Sequence, residues 1–87
     1  MDIRWTRPQG GANIDRYTVS SSHGYVTPSV VYKDEELLVT VKNLTSDQLV
    51  NITITTFNGD VKEKSTSKIF LGGEGQMLKI MLYFHHV

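Results

Sequence analysis

The sequence predicts an all-β fold of packed short strands, a sandwich or a barrel, and three observations carry that expectation. Apolar and polar residues alternate at period two in several short segments, most cleanly from Val50 to Phe57. Asn58-Gly59, a strong short-range hairpin signal, follows that segment. No apolar pattern of period 3.6 and helical length occurs before residue 75. Short strands at close spacing, with turn residues between them, build sandwiches and barrels.

Taken in order, Asp2 to Thr6 puts Ile3 and Trp5 on one face and Asp2, Arg4 and Thr6 on the other. Pro8-Gln9-Gly10-Gly11 then breaks the chain. Ile14 to Ser20 places Tyr17 and Val19 on a shared face, and Ser21-Ser22-His23-Gly24 is a turn. Tyr25 to Tyr32 is rich in β-branched residues but interrupted by Pro28, which cannot donate to a ladder; an irregular or edge strand is expected. Lys33-Asp34-Glu35-Glu36 is a polar turn, and Leu37 to Lys42 shares a face among Leu37, Val39 and Val41. In Val50 to Phe57, Val50, Ile52 and Ile54 point one way and Asn51, Thr53 and Thr55 the other. Both residues of Asn58-Gly59 tolerate the positive φ of a type I′ turn. Val61 to Leu71 returns, with Lys62, Lys64 and Lys68 as the charges that keep an exposed sheet edge from pairing with another chain. After Gly72-Gly73-Glu74-Gly75 the tail from Gln76 to Val87 is apolar without a clean period, a buried strand or a short helix.

Composition fits one small domain. The 87 residues are 39 % hydrophobic and 21 % charged, with nine basic residues balancing nine acidic ones. A chain this short buries only about 60–65 % of its unfolded surface, so each large core residue matters. Zero net charge lacks the positive surplus that phosphate contacts need, which argues against nucleic acid as a partner. The absence of cysteine excludes disulfides, thiolate metal sites and cysteine nucleophiles. The longest apolar stretch, near Ile80 to Phe84, is far short of a membrane span, and no signal peptide is visible at Met1.

Four passages carry a family pattern. They are Ile3-Arg4-Trp5-Thr6-Arg7-Pro8; Ile14-Asp15-Arg16-Tyr17-Thr18-Val19; Val41-Lys42-Asn43-Leu44-Thr45 with Val50-Asn51-Ile52-Thr53-Ile54; and Thr55-Thr56-Phe57-Asn58-Gly59-Asp60. In order and spacing they resemble the second strand, the third strand, the passage from fifth to sixth strand, and the last hairpin of the fibronectin type III family. The Asn-Leu-Thr and Thr-Phe-Asn-Gly flavour is similar to the repeats of receptor-type protein tyrosine phosphatases. The resemblance covers residues 2 to 71. It implies a two-sheet immunoglobulin-like sandwich that lacks the family's first strand, with residues 1–71 as the module and residues 72–87 as a divergent tail, an added strand if it folds back. The chain departs from the family where Val50 stands at the tyrosine-corner position and Ser46 at the turn proline. Strand parity gives a core of Ile3, Trp5, Tyr17, Val19, Leu37, Val39, Val41, Val50, Ile52 and Ile54, to which the resemblance adds Leu44.

Candidate chemistry is sparse. Asn43-Leu44-Thr45 and Asn51-Ile52-Thr53 are N-glycosylation sequons, and parity turns Asn51 outward. His85-His86 is a candidate metal pair, but neighbours in a strand point to opposite faces, and His23 is distant. Asp34-Glu35-Glu36 lacks the spaced oxygens of a calcium loop. Gly10-Gly11 and Gly72-Gly73 precede no helix and read as turns, not phosphate loops. Trp5, Tyr17, Tyr25 and Tyr32 are expected in core or half-buried positions. No motif joins a nucleophile to a base, so no catalytic residue, metal or cofactor is expected. The resemblance implies a non-catalytic extracellular or cell-surface module that binds a protein partner or spaces neighbouring modules of its chain. An accessory module of a multidomain enzyme is the alternative.

Overall fold

In a computed structural model, residues 1–8, 13–73 and 75–82 are described, and every regular element among them is a strand. The strands are β1 (Asp2–Trp5), β2 (Arg16–Ser21), β3 (Tyr25–Thr27), β4 (Val30–Tyr32), β5 (Leu38–Lys42), β6 (Leu49–Asn58), β7 (Val61–Leu71) and β8 (Met77–Ile80). They form two four-stranded sheets, in the orders β3-β5-β1-β8 and β4-β2-β6-β7. All pairings are antiparallel except β1 with β8, which is parallel in the register Asp2 to Met77 through Trp5 to Ile80.

The core lies between the sheets and follows from strand parity. Ile3 and Trp5 of β1, Val39 and Val41 of β5 and Ile80 of β8 come from one sheet. Tyr17 and Val19 of β2, Val31 of β4 and Val50, Ile52 and Ile54 of β6 come from the other. Met1, Ile14 and Leu82 are buried beside them. Burial of each such side chain contributes about 1.5–3 kcal/mol. Leu37 and Leu44, expected in the core, are only partly buried and pack on its margin, since both lie outside the strands.

Three local expectations are corrected. The segment Tyr25 to Tyr32 is not one irregular strand but two. β3 pairs with β5 in one sheet and β4 with β2 in the other, so the chain changes sheets at Pro28-Ser29. Proline suits the crossing because it has no N–H to leave unpaired between two ladders. Tyr25 and Tyr32, on these edge strands, are 56 % and 58 % exposed, not half-buried.

The last hairpin turns one residue later than expected. Asn58 pairs with Val61, and the two-residue loop is Gly59-Asp60, with positive φ at Gly59 (59°) and not at Asn58. Glycine at the first central position is the type II′ pattern, which also matches the twist of the strands. Asp15 and Arg16 lock this end. The Gly59 N–H donates to Asp15 Oδ2 at 2.6 Å, and Arg16 Nη1 donates to the Gly59 carbonyl at 2.7 Å. The Arg16 guanidinium lies 4.5 Å from the Phe57 ring centroid.

The apolar tail contributes β8. Asp2 N–H donates to the Gln76 carbonyl at 2.7 Å, and from there the ladder runs along the side of β1 left open by β5. The tail, expected as an added strand if it folds back, thus supplies one on this edge.

Candidate functional site

The two sheets are not closed on one side. β7 ends one sheet and β8 ends the other, and among the described residues no ladder joins them. A groove of about 600 Å³ runs along this seam. Its walls follow from register. On β7, Thr66 stands opposite Ile54, Lys68 opposite Ile52 and Phe70 opposite Val50. Cross-strand partners share a sheet face, so these β7 residues face the interior side of their sheet. Phe70 packs on the margin of the core, and with Lys64 and Lys68 it lines the groove. Lys79, Ile80 and Met81 line it from the β8 side. Ile80 is buried opposite Trp5, whereas Lys79 shares the outer face with Arg4. The groove therefore joins an apolar floor of Phe70 and Met81, with the buried Ile80 behind them, to Lys64, Lys68 and Lys79, and no carboxylate lines it among the described residues. Glu63, the unpaired residue of the bulge in β7, is exposed and not part of the wall.

Lysine on an edge strand was expected from the sequence as a guard against association, and Lys62, Lys64 and Lys68 do lie on the edge strand β7. Nothing in the sequence marks Lys79 as their neighbour. Its place depends on a parallel pairing between the two ends of the chain, which no local pattern encodes.

A second surface feature lies on the outer face of β6 and β7. Leu49 pairs with Leu71 and Asn51 with Ile69. Leu49, Ile69 and Leu71 are 65 %, 67 % and 51 % exposed, an apolar patch at one end of the sheet. Asn51 sits within it, exposed as parity predicts, and its sequon partner Thr53 bonds Ser67 through the side chains at 2.8 Å. Asn43 is exposed after β5 with φ 64°, a left-handed conformation that asparagine tolerates.

The other candidates stay apart. Glu36 pairs with Arg4 at 3.3 Å, and Glu35 Oε1 accepts the Tyr32 N–H at 2.8 Å, so the acidic turn is held by its own neighbours. His23 Nδ1 is 3.0 Å from Ser22 Oγ in an exposed turn. His85 and His86 lie outside the described residues. Among the described residues no three metal-ligating side chains come together, and no helix is long and apolar enough to cross a membrane.

Trp5 and Tyr17 meet across the sheets with ring centroids 5.5 Å apart at 67°. Among the described residues, Trp5 Nε1 and the Tyr17 hydroxyl are buried without a hydrogen-bond partner. Burial raises the Tyr17 hydroxyl above its usual pKa, an effect that the nearby Arg7 charge opposes. Compared with protein-family models, with curated proteins and with solved structures, the chain matches none.

Proposed function

We propose that this chain is a non-catalytic, extracellular protein-binding or spacer module of the fibronectin type III kind, from a cell-surface receptor or adhesion protein. The observation that carries the reading is the strand pairing. The segments that resemble the family's second and fifth strands pair as β1 and β5. Those that resemble its third, sixth and last strands pair as β2, β6 and β7 in the facing sheet. That partition is the one immunoglobulin-like sandwiches use. Trp5 fills the space between the sheets, as the resemblance implies. Val50 is buried where the family has its corner tyrosine, which keeps the packing and drops the hydroxyl contact.

The extracellular part of the reading rests on the sequons. Asn51 projects from an open sheet face, and a glycan there would lie over Leu49, Ile69 and Leu71, which otherwise meet water. The test is secretion of the chain behind an added signal peptide, with mass spectrometry before and after endoglycosidase. A glycan on Asn51 is the expected result. A secreted chain unmodified at both Asn51 and Asn43 removes the support for an extracellular module.

A further inference from the structure

The groove between β7 and β8 has the chemistry of a peptide site. β7 is 11 residues long and, among the described residues, has no strand on its outer side. Its outer backbone N–H and C=O groups are thus a template for one more strand. Side chains of a strand laid there alternate between solvent and the seam. Those turned to the seam would meet Lys68, Lys79 and the apolar floor of Phe70 and Met81. Ammonium groups beside an apolar floor select a strand whose seam-facing residues, every second one, include both carboxylates and apolar side chains.

Two alternatives fit less well. A second copy of this chain would bring its own Lys62, Lys64 and Lys68 against the same lysines, and like charges across an added strand oppose pairing. A sulfated polysaccharide would satisfy the lysines but not the backbone edge, nor the apolar floor.

We propose that this groove binds an acidic segment of another protein in extended conformation, added as a strand to the free edge of β7. The proposal rests on the protein-binding reading above and names the class of partner. Its test needs neither secretion nor a glycan, so the two stand or fall separately.

The probe is a fluorescein-labelled peptide of the repeat Glu-Thr-Val-Thr, in which Glu and Val share one strand face, titrated with the full chain and followed by anisotropy. Saturable binding that weakens as salt is added is expected. Lys68→Glu combined with Lys79→Glu should weaken it about tenfold or more at an unchanged melting temperature. The milder pair Lys68→Gln and Lys79→Gln should weaken it less, and serves if the first pair does not fold. The same peptide with Lys in place of Glu should not bind. Amide hydrogen exchange should slow along β7 when the Glu-Thr-Val-Thr peptide is added. No saturable binding to the folded chain, or equal binding by the folded double variants, overturns the proposal. So does binding of a heparin oligosaccharide without binding of the peptide.

Discussion

Trp5 of β1 and Tyr17 of β2 meet edge to face across the interior, and this contact ties one sheet to the other. Both rings are almost fully buried, at 2 % and 1 % exposure. Edge-to-face aromatic pairs add about 0.5–1.5 kcal/mol beyond the area they bury.

Replacing Trp5 with alanine should therefore cost about 3–5 kcal/mol, the range for large aromatic truncations. A domain of this size has little stability beyond that, so the variant should be unfolded or close to it. Thermal denaturation followed by circular dichroism gives the answer. An unchanged midpoint would mean that the ring is not part of the core.

Tyr17→Phe should behave in the opposite way. It keeps the ring contact and removes a buried hydroxyl that has no partner among the described residues. Its effect near neutral pH should lie within about 1 kcal/mol, or be stabilising.

The same pair of proteins gives a pH test. The Tyr17 hydroxyl has a folded-state pKa above its usual value of 10.0, because burial disfavours the phenolate. The folded chain then holds this proton when the unfolded chain has lost it. Stability linked to Tyr17 is complete below the unfolded pKa and is lost as pH rises from there through the folded value. The wild type should lose more stability than Tyr17→Phe above about pH 10. Parallel loss in the two proteins would count against a buried Tyr17.

Gly24 and Gly59 make a matched comparison. Both have positive φ, 67° and 59°. A methyl group at Gly59 meets nothing nearby, so Gly59→Ala should cost only the strain of that backbone conformation, about 1–3 kcal/mol. At Gly24 the added methyl would also run into the Lys42 carbonyl oxygen. Gly24→Ala should be the more destabilising of the two in urea denaturation. Equal midpoints would show that the turn around Gly24 yields.

The strength of the sequence as a guide varied along the chain, for physical reasons. β6 was readable because one face is core and the other solvent, so Val50, Ile52 and Ile54 advertise their side. Ile3 and Trp5 were readable likewise. β3 and β4 were not, because three residues are too few to show a parity, and the sheet change at Pro28 leaves each strand with a different neighbour. Tyr25 and Tyr32 were misplaced for that reason. The site was half legible. Lys64 and Lys68 stand in an obvious strand, but the wall that faces them belongs to β8, where Met77, Leu78 and Ile80 show no clean period. Only the partner strand β1 decides that Leu78 and Ile80 turn inward, opposite Ile3 and Trp5.

The parallel pairing of β1 with β8 has a mechanical consequence. β1 enters at Asp2 and β8 leaves at Ile80, at opposite ends of a shared ladder of four residue pairs. Tension applied near Met1 and Leu82 would draw the two strands past one another lengthwise, loading every rung at once. Tension applied at Leu49 and Leu71, which are direct partners, would peel β6 from β7 one rung at a time. In single-molecule pulling, the first geometry should therefore yield at a clearly higher force than the second. The short apolar strand that completes the edge of a small sheet then also acts as a shear clasp between the two ends of the chain.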